Sequence, residues 1–286
     1  MIPSKDIAVY FGVPANVNNH TNLIDAINVF NNYDIVIFGK ENLSNSQNSN
    51  YLTTKNIINQ TSANIFGYID GTKKLGHFKN FVNLWINMGV TGIFIDKFGY
   101  DEGNTRKDQR LRINHVHSKN LLVIATCTDP DDLFAFNPFD PPGLSEMGNN
   151  DFYLAMGYQV NNGEYRGVND WLNISNKMKM YREMGPGYSK MLTLGTIGDN
   201  FYDQQQFDYV YYSTNLYGFD GCGWAETDYS ENTNFLPFRP RKKIVGNKLL
   251  GHILNDNNQL FFRTTNGGIS INTITHEISN IFMSTH

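Results

Sequence analysis

The chain has 286 residues, of which 40% are hydrophobic and 14% aromatic, and its formal net charge is −4. This length accommodates one large α/β domain or a barrel with an appendage. The acidic balance argues against a protein that binds nucleic acid electrostatically, and the short basic run at 239–243 is interpreted as a solvated linker.

Residues 1–6 are not followed by the apolar stretch of a signal peptide. No window approaches the roughly 18 apolar residues that a membrane helix needs. The two cysteines, Cys127 and Cys222, do not imply a disulfide framework. We therefore expect a protein made in the cytoplasm, for which any external role would require release or assembly into a particle such as a virion.

Strand and helix patterns alternate over the first 230 or so residues. The strands are predicted at 7–11, 34–38, 64–70, 89–96, 121–125, 151–156, 190–194 and 221–225. The helices are predicted at 22–31, 51–59, 77–88, 104–118, 169–184 and 202–216. This alternation predicts a (β/α)₈ TIM barrel, because a doubly wound sheet would more often show about five to seven strands and a glycine-rich first turn.

The pattern changes after Pro237. Strands are predicted at 243–254, 259–264 and 268–278, separated by turns rich in Asn and Gly. We therefore divide the chain into a barrel, 1–235, and a C-terminal antiparallel β appendage, 236–286. So small a unit does not form a strong core by itself. It is expected to pack on the barrel or on a protein partner.

Three acids stand at predicted strand ends, where barrel enzymes place their catalytic groups: Asp70, Asp96 and Glu226. The strongest candidate is Asp96, because an apolar run stops abruptly on it. Glycoside hydrolysis requires one carboxyl that protonates the leaving oxygen and a second that attacks or activates water. The alternative interpretation is structural, since acids at strand ends also cap loops.

Aromatic residues near the same strand ends could stack against sugar rings, although packing alone explains most aromatic residues. The candidates are Tyr10, Tyr68, Tyr100, Tyr158 and Trp224.

Two further segments contain residues that are typical of binding sites. The loop at 127–150 contains five acids, Asp129, Asp131, Asp132, Asp140 and Glu146, but it lacks the spacing of a calcium loop, so a lid or contact loop is favoured. The segment from Gly195 to Gly198 is compatible with a phosphate loop of a nucleotide-dependent enzyme and equally with a tight turn. We expect neither a metal nor a cofactor.

Three segments resemble the spherulin-like and endo-α-1,4-polygalactosaminidase-like glycoside hydrolases. They are Asn-Ile-Phe-Gly-Tyr-Ile-Asp at 64–70, Gly-Val-Thr-Gly-Ile-Phe-Ile-Asp at 89–96 and Tyr-Gly-Phe-Asp-Gly-Cys-Gly-Trp at 217–224. The resemblance implies a (β/α)₈ barrel acting on amino-sugar polysaccharides with Asp96 as an acid. The family also carries a Glu at the end of the sixth strand, where this chain has Ala-Met-Gly-Tyr at 155–158.

Two functions follow as hypotheses. The first is a barrel that binds a polysaccharide or surface glycan and hydrolyses it with Asp96 and either Asp70 or Glu226. The second is a non-catalytic structural or adhesion protein, for instance a phage or virus particle or tail component, with protein neighbours at the β appendage. Neither hypothesis involves nucleic acid or a membrane.

Overall fold

The computed structural model describes residues 5–39, 41–136, 143–144, 146–184, 189–198, 202–242, 244 and 249–282. Predictions that fall on Asp140 or on 243 and 245–248 lie outside the described residues.

The elements alternate as the sequence predicts over the first 225 residues. The first ten strands are β1 (Lys5–Tyr10), β2 (Ile35–Phe38), β3 (Asn64–Asp70), β4 (Gly92–Asp96), β5 (Leu122–Ala125), β6 (Phe152–Met156), β7 (Val160–Asn161), β8 (Glu164–Tyr165), β9 (Lys190–Thr196) and β10 (Gly221–Ala225). The α-helices are α1 (Leu23–Phe30), α2 (Tyr51–Gln60), α3 (Leu75–Met88), α4 (Arg106–His117), α5 (Asp131–Phe134), α6 (Val168–Glu183) and α7 (Gln204–Leu216). A short 3₁₀ helix occupies Glu41–Ser44, Pro14–Asn19 is a 3₁₀ segment kinked at Val17 and Asn18, and Thr227–Ser230 is a tight turn.

Eight of these strands form a closed barrel in the order β1-β2-β3-β4-β5-β6-β9-β10. Every pairing is parallel, and β1 closes the ring against β10, with Ile7 opposite Gly223. The predicted TIM barrel is therefore confirmed. The short hairpin β7–β8, which the sequence did not predict, lies between β6 and α6.

Residues of each barrel strand alternate between two cores, because successive side chains of a strand point to opposite faces. The inner core fills the barrel with residues such as Val9, Phe66, Phe94, Leu154 and Leu194. The outer core lies between the strands and the helices. A residue at the end of a strand therefore faces the barrel mouth only if an even number of positions separates it from the inner-core residues of that strand. Two such residues are said to have the same parity.

Helix α3 directly precedes β4, the strand that ends in Asp96. The helix ends at Gly89, whose φ of +91° is left-handed and suits a glycine C-cap. Helix α4 then begins at Thr105, whose hydroxyl accepts a hydrogen bond from the Asp108 N–H in a capping box. The two caps flank β4: Gly89 precedes the strand at the end of the barrel opposite the mouth, and Thr105 follows it on the mouth side.

The C-terminal appendage is a four-stranded antiparallel sheet, not the three strands that the sequence predicts. Its strands are β11 (Leu249–Asp256), β12 (Gln259–Thr264), β13 (Gly267–Asn272) and β14 (Ile278–Phe282). The predicted third strand breaks because Asn272 Oδ1 accepts hydrogen bonds from the N–H groups of Ile274 and Thr275, which turns the chain.

The appendage packs on helix α7 of the barrel. The imidazole of His276 stacks on the Tyr165 ring with centroids 3.8 Å apart, and the Asn280 amide donates to the Tyr212 hydroxyl. The barrel strands β9 and β10 together with this sheet bury most of α7. The sheet therefore covers an apolar helix face that would otherwise be exposed.

The basic run at 239–242 is anchored on the barrel, so its interpretation as a solvated linker is wrong for these residues. Arg239 pairs with Glu226, Arg241 pairs with Asp6, and Lys242 pairs with the fully buried Asp208. The run fastens the connection to the appendage along the barrel wall. None of the helices in the described part of the chain combines the length and apolarity needed to cross a membrane.

Candidate active site

Asp96 is the last residue of β4 and shares the parity of Phe94, which lies in the inner core. Its half-buried carboxylate therefore faces the barrel mouth. The Tyr68 hydroxyl donates to Oδ2 at 3.1 Å, and the Lys97 N–H donates to Oδ1 at 2.9 Å. Both carboxyl oxygens are thus held by neighbouring strand-end residues.

Asp70 is the direct neighbour of Asp96 across the sheet. The two residues are register partners at the ends of β3 and β4, so their side chains share one face. Asp70 Oδ1 accepts hydrogen bonds from the N–H and the hydroxyl of Thr72, at 2.8 and 2.6 Å. The structure therefore brings two of the three predicted carboxylates together.

Lys97 adds a cation between these acids. Its Nζ lies 3.7 Å from Asp70 Oδ2, although strict strand alternation would turn its side chain away. Its φ of +52° accounts for the difference, because the chain leaves the extended conformation at this residue. A left-handed non-glycine residue is strained, and such strain concentrates at functional sites.

The environments of the two carboxyls displace their pKa values in opposite directions. Burial raises the pKa of Asp96, and the hydrogen bonds from Lys97 and Tyr68 only partly oppose it. Burial alone would also raise the pKa of Asp70, but the hydrogen bonds of Thr72 and the charge of Lys97 outweigh it and lower that pKa. Asp70 is therefore the stronger acid, and Asp96 keeps its proton to higher pH.

An aromatic wall flanks Asp96 on one side of the mouth. Phe11 packs edge-on against Tyr68 with centroids 5.4 Å apart, and against Tyr229 at 4.9 Å. Burial, assisted by the charge of Asp96, raises the pKa of Tyr229 to about 12. Sequence reasoning missed both Phe11 and Tyr229. The parity of β1 would have indicated Phe11, whereas Tyr229 lies on a loop without a sequence signal.

Tyr229 is placed by an unusual turn. Asp228, Tyr229 and Ser230 all have left-handed φ values, of 48°, 52° and 67°. The turn is held to β1 by the Phe11 N–H, which donates to the Tyr229 carbonyl at 2.7 Å. Three such residues in succession are costly for L-amino acids, so the surrounding contacts must stabilise this position of the ring.

A cavity of about 350 Å³ opens on the other side of Asp96. Its wall is formed by the ends of β4, β5 and β6, the loop after β5, and one face of α6. The α6 face consists of Asp170, Asn173, Ile174 and Lys177, which follow helical spacing. This volume lies within the range of small-molecule binding sites.

Two buried arginines of α4 hold the loops around the mouth. Arg106 donates to the carbonyls of Leu133 and Ala135, at 2.6 and 2.9 Å, and so fixes the loop after β5. Arg112 donates to the Lys73 carbonyl at 2.7 Å and fixes the loop after Asp70. The rim is therefore preorganised by side chains beneath it.

Glu226 does not join the other two acids. It follows Ala225, which belongs to the inner core, so the Glu226 side chain has the opposite parity and points away from the barrel interior. There it pairs with Arg239, whose Nε lies 3.0 Å from Oε1 and whose guanidinium lies over the Tyr202 ring at 3.7 Å. Burial raises the pKa of Glu226 and Arg239 opposes this. Its position fits a structural anchor.

Three of the five predicted stacking residues are buried in the outer core. Tyr10, Tyr158 and Trp224 are 0%, 1% and 5% exposed, because each has the parity that points toward the helices or lies beneath them. Their rings are packed by neighbouring side chains, and of the three only Tyr158 borders the cavity beside Asp96. Tyr68 lies at the mouth beside Asp96, and Tyr100 is exposed on the loop after β4, beside Arg106.

The acidic loop after β5 is partly neutralised where it is described, and Asp132 accepts a hydrogen bond from the Tyr100 N–H. Lys177 Nζ contacts Asp129 Oδ2 and Asp131 Oδ2, both at 2.6 Å. Among the described residues, no group of three or more His, Cys, Asp or Glu side chains is arranged to hold a metal ion. Gly195 and Gly198 abut the Trp224 ring and the Asn162 backbone, so close packing accounts for both glycines.

The hydrogen bond from Tyr68 gives a first prediction. Because this bond lowers the pKa of Asp96, Tyr68→Phe should raise that pKa further. Carboxyl ¹³C chemical shifts followed through a pH titration measure the change. Tyr51→Phe, on the remote helix α2, is the control and should leave the titration of Asp96 unchanged. A pKa that is unchanged or lowered in Tyr68→Phe would contradict the assigned bond.

No known protein-family model matches this chain, and no curated protein matches it. Solved structures of several barrel enzymes are distantly similar. A putative fructose-1,6-biphosphate aldolase from Coccidioides immitis is 8% identical, with 79% of this chain and 77% of that chain covered and a TM-score of 0.45. The YdjI aldolase from Escherichia coli K12 is 10% identical, with 79% and 76% covered and a TM-score of 0.46.

A type I 3-dehydroquinate dehydratase from Clostridium difficile is 12% identical, with 78% of this chain and 84% of that chain covered and a TM-score of 0.44. Likenesses this distant carry no argument about function. The class of this protein follows from its own strand pairing. It is a (β/α)₈ barrel with an antiparallel C-terminal sheet, and acidic and aromatic side chains gather at the carboxyl end of its strands.

Proposed function

We propose that this barrel is a glycoside hydrolase that binds an amino-sugar polysaccharide across its mouth and cleaves it with Asp96 and Asp70. The observation that carries the proposal is the pair of register-matched carboxyls whose pKa values are displaced in opposite directions. Such a pair supplies a protonated acid and an ionised carboxylate at the same pH, as glycoside hydrolysis requires.

The roles follow from these protonation states. Asp96, protonated to higher pH, donates its proton to the oxygen of the leaving sugar. Asp70, held ionised by Thr72 and Lys97, attacks the anomeric carbon or activates water. Adjacent strands lie about 4.8 Å apart. Retaining enzymes hold their carboxyls about 5–5.5 Å apart, whereas inverting enzymes need about 6.5–9.5 Å. We therefore expect retention of the anomeric configuration.

The substrate class is supported by two features. The exposed part of the mouth combines an aromatic wall, formed by Phe11, Tyr68 and Tyr229, with a polar cavity, a combination suited to sugar rings. The strand segment that ends in Asp96 also resembles the polygalactosaminidase-like hydrolases, which act on amino-sugar polymers. Glu226, held by Arg239, has no part in this mechanism.

The test is incubation of the purified protein with acetylated and deacetylated polygalactosamine and polyglucosamine. New reducing ends should appear with at least one polymer and should be lost in Asp96→Asn. Proton NMR of the first product would show whether the configuration is retained. The absence of product from every polymer, or activity that persists in Asp96→Asn, would overturn the proposal.

A non-catalytic carbohydrate-binding or structural protein is the second candidate. It is favoured by the end of β6, where Met156 faces the mouth and no carboxylate is present at 155–158. This candidate predicts binding without cleavage. Glycan binding that survives in Asp96→Asn, with no product from the wild-type protein, would favour it over the hydrolase.

A further inference from the structure

The cavity beside Asp96 extends away from the two acids along helix α6. Arg166, which directly follows the β7–β8 hairpin, contributes to its wall together with Asn173 and Lys177. The part of the cavity lined by Arg166 takes no part in the proton transfers proposed for Asp96 and Asp70. It is therefore available to recognise another part of the substrate.

Arg166 is fixed in place by its backbone and by one side-chain nitrogen. Its N–H donates to the Gln159 carbonyl at 2.9 Å, and its Nε donates to the Gly157 carbonyl at 2.6 Å. Gln159 is in turn buried and donates to the Ser175 hydroxyl of α6 at 2.9 Å. The guanidinium is thus held by main-chain contacts at its Nε edge, and its two terminal nitrogens carry no hydrogen bond within the described residues.

Of the three cations that line the cavity, two have a carboxylate partner among the described residues and one does not. Lys97 is within 3.7 Å of Asp70, and Lys177 bridges Asp129 and Asp131. Arg166, the third cation of the cavity wall, has no carboxylate within 4.0 Å in the described part of the chain. Asp170 and Glu102 also line the cavity, but neither of these carboxylates forms an ion pair with Arg166.

A guanidinium at the edge of a polar cavity suits a carboxylate or a phosphate, and the proposed polysaccharide substrate favours the carboxylate. Its planar terminal nitrogens match the two oxygens of a carboxylate, and a charge-assisted pair is about twice as strong as a neutral hydrogen bond. Because the Nε edge is already occupied, the ligand must approach the terminal nitrogens from the cavity.

We infer that Arg166 forms a subsite for the carboxylate of an acidic sugar, so that the polysaccharide contains uronic-acid-type residues beside its amino sugars. This inference rests on the proposed function, because it names a second component of the same substrate. Asn173 and Thr128, both in the cavity wall, could provide hydrogen bonds to the hydroxyls of the same sugar.

The experiment compares two probes of equal length, a hyaluronan tetrasaccharide with two carboxylates and the neutral chitotetraose. Binding is measured by calorimetry with the full-length chain carrying Asp96→Asn, so that neither probe is consumed. The acidic probe should bind about tenfold or more tightly than the neutral one. Adding Arg166→Gln should remove this preference, and Arg166→Lys should restore part of it.

The matched control is Arg263→Gln, which removes an exposed arginine of the appendage and should preserve the preference. Circular dichroism establishes that each variant is folded. The inference would be overturned if both probes bound equally while Arg166 is intact, a result that does not depend on how the Arg166 variants fold. It would also be overturned if Arg263→Gln removed the preference for the acidic probe as fully as Arg166→Gln does.

The same data separate this inference from the proposed function. If no polymer is cleaved but the acidic probe binds in an Arg166-dependent manner, the subsite stands and the hydrolase proposal fails. If amino-sugar polymers are cleaved but carboxylated and neutral probes bind equally, the hydrolase proposal stands and the subsite fails.

Discussion

Asp96→Asn is expected to lower kcat by about 10²–10⁴-fold on any polymer that the wild-type protein cleaves, because the variant has no proton to donate to the leaving oxygen. KM should change little, since Asn preserves the size of the side chain and one of its two hydrogen-bond acceptors. Steady-state kinetics measure both constants. Asp108→Asn, in the capping box of α4 and outside the mouth, is the control that should keep its kcat.

The same substitution should not destabilise the protein, which separates lost chemistry from lost folding. The pKa of Asp96 is raised in the folded state, so its contribution to stability is present below the unfolded pKa and is lost as pH rises through the folded pKa. At neutral pH the ionised carboxylate is therefore a net cost to folding. Asp96→Asn should raise the urea midpoint at pH 7, and an inactive variant that is also less stable would contradict this account.

The opposite pKa shifts also predict the pH dependence of the rate. Activity should rise with pH as Asp70 ionises and fall as Asp96 loses its proton, which gives a bell-shaped profile on the acidic side of neutrality. The charge of Lys97 lowers the pKa of both acids. Lys97→Met should therefore move both limbs of the pH profile of kcat/KM to higher pH. Lys107→Met, an exposed lysine of α4, should leave the profile unchanged. A shift of either limb to lower pH in Lys97→Met would contradict the arrangement.

The architecture was predictable because the barrel strands are short apolar runs, three of which stop at a polar residue, namely Asp70, Asp96 and Thr196. Asn64–Asp70 and Gly221–Ala225 are strands at the predicted residues, and the other barrel strands differ by a few residues at their ends. Which strand-end side chain faces the mouth follows from parity. Ile7 and Val9 belong to the inner core, so Phe11 faces the mouth and Tyr10 does not. Applying this rule to every strand would also have excluded Trp224.

The rest of the candidate site depends on pairs that are distant in sequence. Nothing in the segment around Glu226 indicates that Arg239 will pair with it. Nor does the loop after β5 indicate that Lys177 of α6 will pair with Asp129 and Asp131. The left-handed Asp228–Ser230 turn likewise contains no glycine that would reveal it. Such features arise from tertiary packing, which local propensity and periodicity do not encode.

Gly67→Ala is expected to destabilise the protein by about 1–3 kcal/mol, because it adds a methyl group to a filled part of the outer core. A Cβ at this position of β3 would lie 2.2 Å from the ring of Trp85. Trp85 is fully buried on α3, and its Nε1 donates to the Tyr68 carbonyl at 3.1 Å. The ring cannot move aside without disturbing the backbone that holds the Tyr68 hydroxyl on Asp96.

Gly76→Ala provides the matched control on the helix that carries Trp85. A Cβ on Gly76 meets no atom within 4 Å, and Gly76 lies in the first turn of α3, so this change should stabilise the protein by less than the ~0.5–1 kcal/mol of a position inside a helix. Urea unfolding of both variants measures the change in the free energy of unfolding relative to the wild type, and the two changes should have opposite signs. If Gly67→Ala were as stable as the wild type, the close contact between β3 and Trp85 would be wrong. The support beneath Tyr68, and through it the environment of Asp96, would then need another explanation.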